Sequence, residues 1–264
     1  MRIASLSSGS NGNCIYIGND NTHILIDAGV SYKTIESGLD TLGLSIDDVN
    51  AVLVTHEHSD HIKGIGVLER KRFIPIYASM GTLEGIYNTN LGRFDKDCLH
   101  SIREIKPFYI NDICVIPHEI SHDANEPLCF SFEYSDKKAA VVTDLGTYND
   151  ELVENLQNLD CILCEANHDV RMLETGIYPY SLKKRILSDK GHLSNETCGR
   201  FVSKLLNDNT KAVILGHLSE HNNLPELAYE SVKLEITMAP CEYDGLDFPI
   251  YVAKRNEISN IITI

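Results

Sequence analysis

The segment that most constrains this chain is His56-Glu57-His58-Ser59-Asp60-His61, which places three imidazoles and two carboxylates within six residues. The apolar, β-branched run Ala51–Val54 precedes it and predicts a buried strand. The apolar spacing of Ile62–Leu68 suits the start of a helix. The cluster is therefore expected on a turn at the carboxyl end of a strand, where open α/β sheets bind ligands. A solvated charged loop is the alternative, but such a local excess of histidine, a scarce residue, favours a metal site of zinc, manganese or iron.

Other predicted strands in both halves of the chain also end close to a histidine or an aspartate. These strands and the residues that follow them are His23–Ile26 with Asp27, Tyr109–Ile120 with His122, Lys138–Thr143 with Asp144, and Lys211–Leu215 with His217. Physically, such a repetition builds one site along a shared sheet edge.

The strand-end residues match the needs of two adjacent metal ions, which together take about seven to nine ligand atoms. We assign His56, His58 and His122 to one ion, Asp60, His61 and His217 to the other, and Asp144 to both as a bridge. Asp27 is placed to orient these ligands through hydrogen bonds without binding the ions itself. Two ions about 3.5–4 Å apart can hold a hydroxide between them as a hydrolytic nucleophile.

Two of these histidines have competitors nearby in the sequence. His122 lies in a polar turn and is favoured over His118, which follows Pro117 within the predicted strand and suits a core position. His217 directly follows a strand and a glycine and is favoured over His221. Asp144 could instead be a turn residue only, although its strand-end position favours a ligand.

His168 and His192 each lie in a polar turn after an apolar segment. Either one could contact substrate or donate a proton to a leaving group, and we count both with Asp60 as candidate catalytic residues. Either one could equally be a capping or packing residue. The neighbouring basic run Lys183-Lys184-Arg185 is either a solvated helix face or, through Lys184 and Arg185, a contact to phosphate.

The segment Ser7–Asn13 consists almost wholly of serine, glycine and asparagine. One interpretation is a plain hairpin loop between the predicted strands Arg2–Leu6 and Cys14–Ile17. The other is an anion cradle, in which backbone amides and polar side chains face a phosphate. The candidate residues for such a cradle are Ser8, Ser10, Asn11 and Asn13.

The net charge limits the kinds of binding partner that we expect, and the cysteines indicate the redox state of the chain. The formal charge of −15 argues against broad, sequence-independent binding of nucleic acid through a basic surface, although a locally basic groove is compatible with it. No secretory signal and no membrane-spanning run are visible, so we expect a cytoplasmic location without a membrane partner. The eight scattered cysteines are then reduced and mostly core, and the CxxC spacing of Cys161–Cys164 lies inside an apolar strand-like run without a partner pair.

The remaining periodic segments predict helices and strands that surround the site. Helices are predicted at Ser31–Leu44, Gly81–Tyr87, Tyr148–Leu156 and Pro225–Ile236, with two more that start from caps at Ser181 (to Leu187) and Ser194 (to Leu206). Strands are also predicted at Phe73–Ala78 and Leu128–Tyr134, and Tyr109–Ile120 is expected to bend at Pro117.

The segment His56–His61 resembles the HxHxDH signature of the metallo-β-lactamase superfamily, and Asp27, His122, Asp144 and His217 follow the order of its other motifs. The resemblance implies an α+β fold, a four-layer αββα sandwich with a dinuclear metal site at one edge of the β-layers. It also implies a hydrolase. The carboxylate pattern with Asp144 as bridge points away from antibiotic hydrolysis.

Further segments resemble one group in that superfamily, the YycJ (WalJ) group of bacterial cytoplasmic hydrolases. They are residues 7–13, 121–124, 165–169, 188–195 and 218–223. This resemblance implies 5′→3′ exonuclease activity on duplex DNA with two divalent ions, zinc or manganese. It also implies one domain over residues 1–264 without the inserted domain of the β-CASP nucleases, which the short span between Asp144 and His217 agrees with.

Two enzymatic hypotheses follow, and one that is not enzymatic. The first is a dinuclear-metal phosphodiesterase with DNA as substrate. The second is a hydrolase of a small ester, thioester, lactone or cyclic nucleotide at the same site, which the charge of −15 motivates. The third is a metal-binding regulator without catalysis. The oligomeric state is not predicted.

Overall fold

The computed structural model describes residues 1–93 and 95–264, with Lys96 described without its side chain. Its contacts divide the chain into two compact units. The first unit consists of Met1–Glu119, Ala124–Tyr134 and Lys254–Thr263, and the second of Ile120–Asp123, Ser135–Ala253 and Ile264. The prediction of a single domain over residues 1–264 stays a prediction beside this division.

Strands and helices alternate through most of the chain. The strands are β1 Arg2–Ser7, β2 Cys14–Gly18, β3 His23–Ile26, β4 Ala51–Leu53, β5 Ile76–Ser79, β6 Leu99–Ile102, β7 Phe108–Ile110, β8 Ile113–Glu119, β9 Leu128–Tyr134, β10 Lys137–Val142, β11 Cys161–Glu165, β12 Ala212–Gly216, β13 Ile250–Val252 and β14 Ile262–Thr263. The helices are α1 Tyr32–Thr41, α2 Ser59–Ile62, α3 Ile65–Arg72, α4 Met80–Asn88, α5 Asp150–Asn155, α6 Val170–Thr175, α7 Tyr180–Ile186, α8 Asn195–Ser203 and α9 Pro225–Met238.

The first unit contains a mixed sheet in the order β14-β1-β2-β3-β4-β5-β6. Strands β1 to β3 are antiparallel, and β3 to β6 are parallel. Alternate residues of these strands, such as Leu25 and Val52, face a buried core that also contains Ile35 of α1 and Leu68 of α3. Strands β7 to β9 of the same unit pair in an antiparallel meander.

The second unit contains four parallel strands in the order β13-β12-β11-β10. Because parallel strands run the same way, their carboxyl ends meet at one edge. The registers Val142↔Cys164 and Glu165↔Gly216 bring the ends of β10, β11 and β12 level with one another. Strands β11 and β12 are fully buried, as their continuous apolar runs predict.

The structure agrees with most of the predicted elements and corrects several boundaries. Phe73 does not begin a strand: it takes a left-handed conformation (φ 49°) and ends α3, its amide bonded to the Glu69 carbonyl. The expected bend at Pro117 is wrong, because the run turns at Asn111 (φ 49°) and Pro117 pairs in register with Phe130. The predicted helix at Ile62–Leu68 is two helices, since α2 ends and α3 begins around Lys63 and Gly64.

The predicted start of α7 is also wrong. The helix begins at Tyr180, so Ser181 lies inside it, because extended Pro179 supplies the carbonyl that the Leu182 and Lys183 amides bond. Ser194 does cap its helix, accepting a hydrogen bond from the Thr197 amide, but α8 ends at Ser203 rather than Leu206. Helix α6 was not predicted. No helix in the described part of the chain has the length and apolar character needed to cross a bilayer.

Candidate metal centre

The first unit carries the histidine-rich turn where the sequence places it, between β4 and α3. His56 and His61 are fully buried, and His58 is half-buried. His56 Nε2 lies 3.0 Å from His58 Nδ1, and His61 Nε2 lies 3.5 Å from a carboxylate oxygen of Asp60. Ring nitrogens and a carboxylate therefore converge from four residues of one short turn.

Asp27, at the end of β3, holds this turn from behind. Its carboxylate accepts hydrogen bonds from the amide and the hydroxyl of Thr55 and lies 2.7 Å from His61 Nδ1. Since a carboxylate has no proton to donate, Nδ1 carries the proton and Nε2 keeps its lone pair. These contacts are the ones that the predicted orienting role of Asp27 requires.

Glycine is required where the backbone of the turn passes the end of β3. A Cβ built on Gly29 would lie 1.5 Å from the carbonyl oxygen of Asp60. Backbone hydrogen bonds join Ala28 N to His61 O and Asn13 N to Asp60 O. The position of the turn is thus fixed by main-chain contacts as well as by Asp27.

The serine, glycine and asparagine loop at residues 7–13 lies against this turn. The Asn13 amide nitrogen is 3.2 Å from His61 Nε2, and its carbonyl oxygen accepts a hydrogen bond from Gly9 N. Lys63 donates from its ammonium group to the Asn11 carbonyl. Asn13 and Ser8 are buried, whereas Ser10 and Asn11 are exposed. Lys63 is a basic neighbour of the loop that sequence reasoning missed, although it stands two residues after His61.

In the second unit, Asp144 stands at the centre of three histidines. Its Oδ1 lies 3.5 Å from His217 Nε2, 3.5 Å from His192 Nδ1 and 3.8 Å from His122 Nε2. These separations are too long for hydrogen bonds. Ligand atoms about 2 Å from a shared ion lie roughly 3 to 3.5 Å apart, so the spacing suits a cation between them.

Glu165, at the end of β11, orients two of these histidines. Its Oε2 lies 3.0 Å from His217 Nδ1 and 3.1 Å from His192 Nδ1, while Oε1 accepts hydrogen bonds from the amides of Leu145 and Leu193. Burial raises the pKa of Glu165, but the charge of His192 and hydrogen bonds from His192 and His217 outweigh it and hold that pKa at about 2. The buried group is therefore an anion, and it turns His217 Nε2 toward Asp144.

Sequence reasoning missed this role of Glu165. The segment 165–169 was recognised as a polar cluster at a strand end, but the first residue in it was not assigned. The available signal was the same as for Asp27 and Asp144: a carboxylate at the end of an apolar run.

His122 is oriented by a backbone carbonyl. Its Nδ1 lies 3.1 Å from the carbonyl oxygen of Gly191, which leaves Nε2 on the side of Asp144. Its competitor His118 lies in β8 and bonds the hydroxyl of Ser131, 2.8 Å away, as expected of a core histidine. His221 lies outside the cluster, with its ring 5.8 Å from that of Tyr178.

His168 lies near this group but in a different environment. It is 1% exposed, its Nδ1 lies 3.3 Å from Asn167 Oδ1, and its Nε2 has no hydrogen-bond partner among the described residues. Burial lowers the pKa of His168 to about 4, although the charge of Glu165 opposes the shift. His168 is therefore neutral at physiological pH.

The three basic residues of α7 differ in their contacts. Arg185 pairs with both carboxylate oxygens of Asp123, with Nη2 2.8 Å from Oδ1. Lys183 donates to the carbonyls of Glu174 and Gly176, at 2.8 and 2.7 Å. Lys184 is exposed.

The donor sets of both units fit divalent ions. Each unit gathers imidazole nitrogens and carboxylate oxygens at a sheet edge, with the histidine tautomers set by Asp27, Glu165 or a backbone carbonyl. In the second unit, one ligand atom from each of Asp144, Glu165, His192 and His217 falls within 4.8 Å of the others. Thiolate is absent from these groups, so hard and borderline ions such as Mn²⁺ and Zn²⁺ are suited.

Comparisons with known proteins agree with this arrangement. Residues 22–218 match the family model of the beta-lactamase superfamily domain. The chain is 42% identical over 234 residues to exodeoxyribonuclease YycJ of Bacillus anthracis, covering 88% of each protein. It is 40% identical over 252 residues to exodeoxyribonuclease WalJ of Streptococcus pneumoniae, covering 95% of this chain and 93% of that protein.

A solved structure supports the fold. The metallo-beta-lactamase fold protein YhfI from Bacillus subtilis is similar with a TM-score of 0.71 at 15% identity, over 98% of both chains. The predicted fold class, an α+β sandwich of the metallo-β-lactamase type, is confirmed by this similarity and by the family model.

Proposed function

This chain belongs to the beta-lactamase superfamily, and from that premise we propose that it is a metal-dependent exodeoxyribonuclease that degrades duplex DNA in the 5′→3′ direction. The observation that carries the proposal is the 40–42% identity, over most of the chain, to exodeoxyribonucleases YycJ and WalJ. The enzyme class is that of a metal-dependent hydrolase. The duplex substrate and the polarity are the finer parts of the proposal.

The proposed metal ligands are those assigned from the sequence: His56, His58, Asp60, His61, His122, Asp144 and His217. They are drawn from both units, and each unit presents its share at a sheet edge with nitrogen and oxygen atoms converging. Two bound ions, zinc or manganese, would supply an activated water molecule and neutralise charge on the phosphate.

His192 is the favoured proton donor to the leaving oxygen. It keeps 13% of its side-chain surface exposed, and Glu165 Oε2 lies 3.1 Å from its Nδ1 and orients the ring. His168 was an equal candidate from the sequence, but its burial and its lowered pKa make it a poor donor near neutral pH. We therefore propose a packing and positioning role for His168.

The loop at residues 7–13 is the proposed contact for the scissile phosphate. Asn13 places its amide group beside His61, and Ser8, Ser10 and Asn11 follow the same stretch of chain. Lys63 adds a positive charge next to Asn11. Lys184 and Arg185 are proposed to contact phosphates further along the strand, with Asp123 holding the Arg185 guanidinium in place.

The test is degradation of 5′-phosphorylated duplex DNA by the protein loaded with Mn²⁺. Activity well above that of an Asp60→Ala, His61→Ala variant supports the proposal, and equal activity of the two proteins overturns it. A matched control variant, Asp47→Ala with His100→Ala, removes an exposed aspartate and an exposed histidine and should keep activity. Polarity is read by blocking either the 5′ or the 3′ end with phosphorothioate linkages, because only the 5′ block should protect.

The charge of −15 favours a second candidate, a hydrolase of small esters, thioesters, lactones or cyclic nucleotides at the same site. The relatives described above do not favour it. Turnover of such a substrate by a protein that leaves duplex DNA intact would establish it in place of the nuclease. Turnover of any phosphodiester, bis(p-nitrophenyl) phosphate included, would exclude a regulator without catalysis.

A further inference from the structure

Residues 171–190 carry an excess of positive charge in an otherwise acidic chain. The segment holds five basic residues, Arg171, Lys183, Lys184, Arg185 and Lys190, against Glu174 and Asp189, so its net charge is +3 while the whole chain carries −15. Arg171, Lys184 and Lys190 are exposed and form no ion pair with any residue that the structure describes. This surface therefore complements a polyanion.

The same segment exposes two large side chains at one place. Ile177 is 83% exposed and lies between α6 and α7, and Tyr180, the first residue of α7, is 81% exposed. We name residues 176–180 the apex turn. Aromatic rings beside cations are the composition of surfaces that stack on nucleic-acid bases.

The apex turn is held in one shape by contacts on both sides. Lys183 donates to the carbonyl of Gly176, and the ring of Tyr178 meets that of His221 edge-on. A Cβ at Gly176 would lie 2.6 Å from Asn222 Oδ1, so the turn packs closely on its neighbours. Ile177 and Tyr180 thus project from a fixed support, which lowers the entropic cost of binding.

The apex turn is also coupled to the metal centre of its unit. Helix α7 runs from Tyr180 to Ile186, about 9 Å at 1.5 Å per residue. The carbonyl of Ile186 accepts a hydrogen bond from the amide of His192, at 3.0 Å. Tyr180 therefore lies within a few base-pair steps of the proposed proton donor.

We propose that the apex turn stacks on the terminal base pair of duplex DNA through Tyr180 and Ile177, with Arg171 and Lys184 on the flanking phosphates. This inference rests on the proposed function, since it names how that enzyme finds its substrate. Interior base pairs are stacked on both faces, and only a terminal pair offers a free one. The contact therefore selects ends of duplexes over their interior.

The direct test is fluorescence of a 20-base-pair duplex with 2-aminopurine at the 5′ terminus or at an internal position, measured with the Mn²⁺-loaded protein and with 5′ phosphorothioate linkages that prevent cleavage. Binding of the full chain should quench the terminal probe and leave the internal probe unchanged. Tyr180→Ser and Ile177→Ser together should abolish the quenching, and Tyr180→Phe should retain it. The matched control is Tyr109→Ser, which removes a tyrosine that is 71% exposed in the first unit.

Kinetics supply a second readout. The double variant should raise KM for blunt duplex at least about fivefold with little change in kcat, because stacking contributes to binding and not to chemistry. Thermal melting confirms that the variant is folded. An unchanged KM, or terminal quenching that survives the double substitution, overturns the inference.

Two further outcomes separate this inference from the proposed function. If the wild-type protein cleaves no DNA, the proposed function fails, and the terminal probe alone decides whether the apex turn binds duplex ends. If sedimentation shows that the double variant turns a dimer into a monomer while end binding is unchanged, the apex turn is an interface between copies of the chain and the inference is overturned.

Discussion

The carboxylate of Asp27 lies 2.7 Å from Nδ1 of His61, and both side chains are fully buried. Thr55 donates to the same carboxylate from its amide at 2.8 Å. This pairing fixes which nitrogen of His61 carries the proton and leaves Nε2 for a metal ion. In the proposed function, Asp27 would therefore act on a bound metal ion through His61.

Replacement of Asp27 by asparagine should weaken metal binding about 10- to 100-fold. If the side-chain carbonyl of the new asparagine keeps the Thr55 hydrogen bond, its amide donor faces His61 Nδ1, and the ring is driven to the tautomer with its proton on Nε2. Chelator competition with Mn²⁺ or Zn²⁺ measures the affinity. Asp47→Asn is the control, because Asp47 is exposed and pairs with Arg72 in the same unit. Equal affinity of both variants would mean that Asp27 does not orient His61.

Gly29→Ala should destabilise the protein by more than about 2 kcal/mol. The new Cβ would lie 1.5 Å from the Asp60 carbonyl oxygen, so the metal-binding turn must move away from the end of β3. Urea unfolding measures the free energy, and metal content reports the turn. Gly38→Ala is the control, since its Cβ would lie 3.1 Å from the side chain of Leu6 and meet no backbone atom as closely as Gly29 does. A stable Gly29→Ala protein with full metal content would contradict the steric argument.

The strand-end residues were predictable because their pattern is local. An apolar run followed by a carboxylate is visible at Asp27 and Asp144, and both residues adopt left-handed backbone conformations, with φ of 62° and 58°. His217 shares this conformation with φ of 54°, which the sequence did not indicate. Aspartate and histidine are both found in that region more often than most residues, and the side chain of Asn167 donates a hydrogen bond to the backbone carbonyl of His217.

The role of Glu165 was not predictable in the same way. Its four contacts come from Leu145, His192, Leu193 and His217, which are 20 to 52 residues away in the sequence. Such a contact set depends on parallel strands that bring their ends together, and no local pattern encodes it. The start of α7 was predicted wrongly because a local pattern was misleading there. Ser181 is a residue type that often caps helices, but extended Pro179 occupies the N-cap position.

Glu165→Gln should lower metal affinity or kcat about 10- to 100-fold. Glu165 Oε2 accepts from Nδ1 of both His192 and His217. An amide group in its place would bring N–H donors against two ring nitrogens that carry protons, so both hydrogen bonds would be lost. We would measure kcat, and metal affinity by chelator competition, for this variant and for Glu151→Gln. The second substitution changes an exposed glutamate of α5 and serves as the control. If the two variants behave alike, the contacts of Glu165 are structural only.

His168 should make the protein less stable as the pH falls from 7 to 5. Its pKa is about 4 in the folded protein, lowered by burial, and its ordinary value is 6.5, so only the unfolded chain gains a proton in this window. The stability contribution is present above pH 6.5 and is lost toward pH 4, with a loss of about 2 kcal/mol between pH 7 and 5. Glu165 does not contribute there, because its pKa is lowered from 4.5 to about 2 and its window lies below pH 4.5.

Urea unfolding of the wild type and of His168→Gln at both pH values, with a chelator present, isolates this contribution. Glutamine does not titrate, so the variant should lose about 2 kcal/mol less than the wild type on acidification. Every other ionisable group is present in both proteins, so its contribution cancels in the difference. His23→Gln is the comparison, since burial also lowers the pKa of that histidine, and its replacement should flatten the pH profile in the same direction. Parallel pH profiles for wild type and His168→Gln would show that His168 gains its proton in the folded protein, and would restore it as a candidate proton donor beside His192.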